Sequence, residues 1–462
     1  MSAEPADRIV VANPYDGTLL AELPSASPAD VDDAVASAQE AAEVSAGLSR
    51  AARGEILDRT AWLLEEEAEG AARLIVREAG KTIRQARKEV RRAVNTLHLS
   101  AAEARRLAGE VVPFDSFSGN EGRIGYFTYE PLGLIAGITP YNDPLNLVAH
   151  KVGPAIAGGN AILLKPSELA PLSAIRLAKL FAAAGLPPDI FSILTGGPLA
   201  ASRLAGAPAV RMVSFTGGMA AAAKIVQAGG VKRYAMDLGG NAPVMVMADC
   251  DLEKAVENSV SGAFWAAGQN CVGVQRIFVE QSIASRFVDA FVARTRALMV
   301  GDPLDEATDM GPMISAAHAA RAMELVGDAV RRGARLLAGG SARGALMTPT
   351  VLLDTPHAAS AWRDEAFGPM VSIESVPDID AALALANACD ASLHAAIFTT
   401  DLNRALTATK SLQASGVMIN DSSDFRLDAM PFGGFKQGSM GREGVRFALS
   451  EMTQSKVVMF GP

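Results

Sequence analysis

Cysteine and histidine are scarce in this chain, three and five among 462 residues. Cys250, Cys271 and Cys389 stand far apart at irregular spacing, which excludes a disulfide framework and offers no zinc pattern. No two histidines form an HxxxH pair, so no metal is expected. Long apolar runs are also missing. The best stretch, "LGLIAGITPYNDPLNLVAH", is interrupted by prolines, Asn142 and Asp143, short of the roughly 18 apolar residues that suggest a membrane span, so no membrane partner is expected. The start "MSAEPADRIV" lacks a basic region followed by an apolar segment; with no secretory signal, a cytoplasmic location is expected. Nor is there a Lys/Arg block. The 42 basic and 51 acidic residues leave a net charge of −9, which argues against nucleic acid as a partner and for small-molecule chemistry.

What is present is the composition of a folded protein, 49% hydrophobic and 20% charged. At 462 residues the chain exceeds one ordinary core, so two or three domains, or one with an appendage, are expected. Ser27, Pro28, Asp30 and Asp32 mark a helix start. Two long helical patterns follow, over Arg50–Glu78 and Thr82–Leu107, and then a strand or hairpin near residues 122–131. From Leu132 short apolar runs alternate with helical segments, and a second such series begins near Pro243. That alternation predicts α/β architecture with parallel strands, in two packed lobes with a cleft between them.

In "FWAAGQNCVGVQR" Cys271 follows a helical pattern that Gly268 is placed to end and precedes a strand pattern, so it lies at a turn. Free cysteine is among the most buried residue types, yet a turn exposes a thiol, and local context leaves an inert thiol and a nucleophile equally open. A thiol attacking a carbonyl needs amide donors for the developing oxyanion. Asn142, at the end of the apolar strand before it, is a candidate, and a plain turn between Pro140 and Pro144 is the other reading. Lys165, Ser167 and Glu168 end another strand, where a nucleotide ribose could bond. Thr216, Gly217 and Gly218 lie between a strand and a helix whose free N–H groups could face a phosphate.

Taken in order, "PYNDP", "GGNAILLKPSE", "SFTGG", "MDLGGNAP", "GQNCVGVQR", "DEAFGPM" and "GVMIND…MPFGGFKQGSMGREG" resemble the aldehyde dehydrogenase superfamily, from about Val11 to Val457. The resemblance implies an aldehyde-dehydrogenase-like α/β fold. A Rossmann-like NAD-binding domain would span 1–113 and 132–240, a catalytic α/β domain 241–445, and a small β oligomerisation element 114–131 and 446–462. It also implies a homodimer or homotetramer, an aldehyde substrate, and NAD or NADP as cofactor. Carried over by residue, Cys271 is the nucleophile, and Asn142 with the Cys271 backbone N–H forms the oxyanion hole. Lys165 and Glu168 contact the adenosine ribose, Glu365 contacts the nicotinamide ribose, Phe367 walls the nicotinamide, and Gly217–Gly218 turns at the pyrophosphate. The Glu168 carboxylate would repel the extra phosphate of NADP, so NAD is preferred.

Two positions depart from the family. Where it carries glutamate before "LGG", this chain has Asp237, one methylene or about 1.5 Å shorter, and reach is the first test of a general base. Asp237 could act through a water, yield the role to another group, or only hold its loop. Ala222 replaces a glycine often found in the phosphate loop, which a close helix tolerates. "YNDPLNLVAHK" with "NDSSDFRLDAMPFGG" resembles the branch of lactaldehyde, phosphonoacetaldehyde and phosphonoformaldehyde dehydrogenases, whose aldehydes are small and hydroxylated or anionic. Arg426, His150 and Arg92 are the candidates to grip such an anion. Their ordinary alternatives are an Arg426 pair with Asp424 or Asp428, a core histidine, and a solvated helix face. The altered base also admits a CoA-acylating enzyme, and the fold admits a non-catalytic relative.

Overall fold

The helix start read at Ser27 forms as expected. A computed structural model, which describes residues 8–437 and 440–462, places a helix over Pro28–Gly47. Ser27 Oγ accepts from Asp30 N at 3.2 Å, and the Asp30 carboxylate accepts from Ser27 N at 2.8 Å, a reciprocal cap. The pattern read as one helix over Arg50–Glu78 is two, Arg50–Glu66 and Ala68–Ala79. Buried Leu57, Leu64 and Ala71 keep an unbroken seven-residue spacing through the break, so periodicity carries no trace of it. What marks it is a tertiary contact: Glu67, at φ −99° and ψ 13°, accepts from Arg176 Nη2 of the helix Leu172–Ala183 at 2.6 Å. The next helix runs over Ile83–Arg106, with Thr82 at its N-cap.

The alternation that starts at Leu132 builds a five-stranded parallel sheet. Its spatial order is Phe191–Ile193, Ala161–Lys165, Leu134–Ile138, Val210–Gly217, Arg233–Leu238. Strands Leu134–Ile138 and Ala161–Lys165 are buried along their whole length, as parallel strands sandwiched between helices must be. Two crossovers step to one side of Leu134–Ile138, and the next returns to its other side at Val210–Gly217. The order reverses there, which opens a crevice beyond the carboxyl ends of those two strands.

The chain leaves this sheet at Leu238, and residues 239–241 carry it to Ala242, the first residue of a second sheet. Seven strands lie there in the order Arg335–Ala338, Thr350–Leu353, Met370–Val376, Val274–Glu280, Ala242–Val246, His394–Phe398, Gly416–Ile419. Every neighbouring pair is parallel except the edge pair Arg335–Ala338 with Thr350–Leu353. Each sheet has its own apolar core, and the first also gathers the helices from Pro28–Gly47 to Leu172–Ala183.

The stretch read as a strand or hairpin near 122–131 is a single strand, Ile124–Pro131. Its main partner is the distant C-terminal strand Thr453–Phe460, antiparallel from Thr453↔Pro131 to Phe460↔Ile124, with Glu110–Val111 on its other side. No helix among the described residues is long and apolar enough to cross a membrane. Residues 1–7 and the Gly438–Ser439 pair of the "GFKQGSMGREG" motif lie outside the described residues.

Candidate active site

Cys271 follows a helix, Leu252–Phe264, that ends earlier than Gly268. Ala266, Ala267 and Gly268 then adopt left-handed backbone, with φ of 50°, 55° and 68°. Two consecutive alanines in that region cost roughly 1–3 kcal/mol each and persist only where the surroundings impose them. A side chain at 268 would also collide with the Gly368 carbonyl, so glycine is required there by both conformation and space. The Gln269 amide fastens the turn, with Nε2 donating to Ala266 O at 3.0 Å and Oε1 accepting from Ile314 N at 2.9 Å. Ser423 Oγ holds Val272 O at 2.8 Å. The result is a rigid platform that leaves Cys271 half-buried and unpaired just before the strand Val274–Glu280.

Two cavities meet at that thiol. The larger, about 380 Å3, is lined by residues of the helix Ile83–Arg106, the Cys271 turn and residues 421–427. The smaller, about 230 Å3, fills the crevice where the strand order reverses. Asn142, Leu147 and Cys271 line both. Tyr141, Asn142, Gly217 and Gly218, which follow or end strands of the first sheet, face Gly239, Cys271 and Phe367, which precede strands of the second. Asn142 Nδ2 donates to Gln269 O at 3.1 Å, and its Oδ1 has no partner. An amide nitrogen carries two donors, so one N–H remains for an oxygen beside Cys271.

Asp237 lines the smaller cavity from the strand Arg233–Leu238, 3% exposed, with both carboxyl oxygens unpartnered. Its neighbour Glu443 is fully engaged. Glu443 Oε1 accepts from Lys151 Nζ at 2.9 Å and Thr216 Oγ1 at 3.1 Å, and Oε2 accepts from Arg426 Nη2 at 2.9 Å. Burial works against the Glu443 charge, but Lys151 and Arg426 prevail and hold its carboxyl well below the usual range. Burial, then the charge of Glu443, pushes Asp237 the other way. Two carboxyls driven apart in this manner separate into one fixed anion and one group able to exchange a proton near neutral pH. Burial and Asp237 also raise the Cys271 thiol well above its ordinary range, with Arg426 pulling against them.

The smaller cavity has the features a nicotinamide nucleotide needs. Gly218 precedes the helix Met219–Gly229, and a side chain there would meet nothing within 4 Å, so the space before the helix N-terminus is open. Glu365 points a carboxylate at it, bonded to Gly240 N at 3.3 Å and raised by burial to about 7. Phe367, at φ 46°, packs edge-on against Tyr141 with ring centroids 5.9 Å apart. Lys165, Ser167 and Glu168 lie outside the lining of that cavity: Lys165 Nζ donates to Glu168 Oε2 at 3.1 Å, and Ser167 Oγ accepts from Leu169 N, closing the turn beyond their strand. Thr216 lines the cavity, but its hydroxyl is turned to Glu443.

Residues 1–458 match the family model described as the aldehyde dehydrogenase family. The chain belongs to that family. It is an NAD(P)-dependent aldehyde dehydrogenase with the family's α/β fold. It is 53% identical over 97% of its length to an aspartate-semialdehyde dehydrogenase of Pseudomonas canavaninivorans, covering 96% of that protein. It is 40% identical over 98% of its length to a 3-sulfolactaldehyde dehydrogenase of Priestia aryabhattai, covering 95% of that protein. Among solved structures, a glyceraldehyde-3-phosphate dehydrogenase of Methanocaldococcus jannaschii complexed with NADP superimposes with a TM-score of 0.95 at 38% identity, each chain wholly covered.

Within this aldehyde dehydrogenase the three anion-gripping candidates take different places. Arg426 lines the larger cavity, but its ion pair is with Glu443, not with Asp424 or Asp428. Its guanidinium lies 3.7 Å over the Phe432 ring, and its Nε has no partner. Arg92 lines the same cavity and is no solvated helix residue, since its guanidinium bonds Asp428 at 2.8 Å and Asp143 at 3.4 Å. His150 lines neither cavity. The helix Asn146–Ala157 is buried all round, and His150 Nε2 meets Asp428 Oδ1 at 3.0 Å, so it braces the carboxylate that Arg92 grips rather than reaching a substrate. Ala222 is buried without strain in the helix Met219–Gly229. The sequence does not single out Glu443, Lys151 or Lys88, and it offers Asp424 only as a possible partner of Arg426. "GREG" offered the one local signal for Glu443, and nothing local marked its partner Lys151.

Proposed function

We propose that this aldehyde dehydrogenase oxidises a small aldehyde bearing an anionic group to the carboxylic acid, with Cys271 as nucleophile. The observation that carries this reading is the meeting of the two cavities at Cys271 and Asn142. The aldehyde enters from the larger cavity, the Cys271 thiol gives up its proton to water as Sγ bonds the carbonyl carbon, and the carbonyl electron pair moves to the oxygen, which is held by the Asn142 amide and the Cys271 N–H. A nicotinamide in the smaller cavity would be held by Glu365, Phe367 and the Gly217–Gly218 turn, with Lys165, Ser167 and Glu168 toward the adenosine end, and would supply the hydride acceptor. Loss of hydride from the adduct leaves a thioester on Sγ. Asp237 then takes a proton from water as its oxygen attacks, and the departing thiolate regains one.

An anionic substrate is supported by Lys88, which lines the larger cavity with no carboxylate at ion-pair distance among the described residues, while Arg92 and Arg426 line it already paired. Three relatives are named for aldehydes that bear an anionic group, a carboxylate, a sulfonate and a phosphate. NAD is the preferred cofactor, on the Glu168 carboxylate at the ribose end, and the location is cytoplasmic. The test follows NADH and NADPH formation with anionic, hydroxylated and plain aldehydes, and identifies the product with and without CoA. Free acid in both conditions is expected, and an acyl-CoA requirement overturns the hydrolytic step. In Arg426→Lys the charge beside Cys271 stays but the planar fork is lost. KM for an anionic aldehyde should rise about tenfold while that for propanal stays within about twofold; equal effects on both remove Arg426 from recognition.

The three-stranded sheet is the proposed seam of a homo-oligomer. Val111, Ile124, Tyr126 and Phe460 share one of its faces by register, exposed at 79%, 67%, 42% and 55%. Apolar surface so concentrated calls for a partner. Tyr126→Asp with Phe460→Asp should lower the mass measured by light scattering to that of a smaller species. An unchanged mass places the seam elsewhere.

A further inference from the structure

Asn142 stands in a segment with no regular structure of its own. Residues 139–145 join the strand Leu134–Ile138 to the helix Asn146–Ala157, with prolines at 140 and 144 that have no backbone N–H to give. An amide that must meet an oxyanion at hydrogen-bond distance needs firmer support than that. The support comes from Lys81 and the helix Ile83–Arg106. Glu89 Oε1 accepts from Leu145 N at 2.9 Å and Asn146 N at 3.2 Å, which replaces the cap that a leucine side chain at 145 cannot give. Its Oε2 accepts from Lys81 Nζ at 2.7 Å. The same ammonium bonds Asp143 Oδ1, and Arg92 Nη1 reaches Asp143 Oδ2 at 3.4 Å. Arg92 bonds Asp428 in turn, which also accepts from Asn146 Nδ2 at 3.2 Å.

The chain just after Asn142 is thereby fastened at 143, 145 and 146. Lys81 and Glu89 are 4% and 2% exposed, so each charge depends on the others for compensation, and removing one strands its partners. Glu89 and Asp143 also line the larger cavity, but their carboxylates are engaged by these partners. The Asn142 amide meets Gln269 O of the Cys271 turn at 3.1 Å, so whatever fixes the segment fixes the amide against the turn that carries the sulfur. We infer that Glu89 and Asp143 are positioning residues for the reaction. Through Lys81 and the N–H groups of Leu145 and Asn146, they hold the Asn142 amide where the oxyanion forms. Their effect falls on the addition of Cys271 to the carbonyl, which every aldehyde shares, and not on the choice of aldehyde. This rests on the reading of Asn142 as the oxyanion donor.

The test is a double-mutant cycle on the rate constant of the first NADH-forming turnover, at saturating NAD and aldehyde, with propanal and 4-oxobutanoate side by side. That constant is first order, so it does not depend on how much of a variant folds. Asn142→Ala should slow it about 10²–10³-fold, the worth of one oxyanion donor. Asp143→Asn and Glu89→Gln, which keep size and remove charge, should each slow it about tenfold through a misplaced amide, equally for both aldehydes. Dinucleotide Kd should stay within about twofold of the parent's, since these residues lie outside the smaller cavity. Placed on Asn142→Ala, either change should slow the reaction by no more than about twofold further, because the amide it positions is gone. Should one variant fail to fold, the other carries the same cycle. Losses that multiply overturn the inference, because a group that only supports the fold acts independently of Asn142. So does a single variant within about twofold of the parent, or a loss confined to one aldehyde, which makes the residue part of the aldehyde's own site. If Asn142→Ala itself runs within about tenfold of the parent, the oxyanion reading fails and the inference with it.

Discussion

Cys271→Ala should abolish aldehyde oxidation, with kcat/KM falling by at least about 10⁴, as when other enzymes lose a covalent nucleophile. No other thiol can substitute. Cys389 is buried against Trp362 and Asn241, and Cys250 is raised to about 11 by burial and then by Asp249 and Asp251; neither lines a cavity at the site. Asn142 and the remaining amides would still polarise a carbonyl, but without sulfur no adduct forms from which hydride can leave. Dinucleotide binding, followed by fluorescence, should persist, because Glu365, Lys165 and the Gly217–Gly218 turn belong to other segments. Iodoacetamide should label Cys271 in the native protein and stop NADH formation in step with labelling. Activity within tenfold of the parent in Cys271→Ala would remove covalent catalysis from this site.

Asp237→Asn should separate the two halves of the reaction. The first turnover, which needs Cys271 and the hydride acceptor, should give a burst of NADH close to one per site. Steady-state turnover should fall about 10²–10³, the usual worth of a positioned general base. Burial and Glu443 raise Asp237 to about 8, so the parent's turnover should climb with pH to near that value, and the variant should lose this limb. A steady-state rate equal to the parent's would take Asp237 out of the mechanism and leave it a loop support.

The same shift has a stability consequence of opposite sense. An unfolded aspartate titrates near 3.9, so between that pH and about 8 the folded protein holds a proton that the unfolded chain has released. The contribution of Asp237 is therefore fully present below the unfolded value and is lost as pH rises through the folded one. Asp237→Asn cannot carry that buried charge. Its melting temperature should exceed the parent's by more at pH 9 than at pH 5.

Features that depend on neighbouring residues could be read directly. The Ser27 cap, the parallel strands after Leu132, and the placement of Cys271 and Asn142 at strand ends rest on turn chemistry and apolar spacing. These work over a few residues and so leave a mark in the sequence. The break at Glu67 left none, because an unbroken apolar face passes through it and only Arg176 marks it. Arg426 was read as a free anion grip or as a partner of nearby Asp424 or Asp428. The fold gave it Glu443 instead, seventeen residues on, which the antiparallel bridge between Phe432 and Glu443 brings back beside it. His150 had the right type and the right helix but faces Asp428, away from both cavities.

The sequence by itself determined the class of chemistry: the α/β architecture, a thiol and an amide at strand ends, and a carboxylate one methylene short of the family's. Tertiary structure alone decided how those groups are tuned. Ionisation depends on desolvation and on charges a few ångströms away, and here they arrive from positions hundreds of residues apart. Glu443 beside Asp237 acquires its meaning only when packing brings it there.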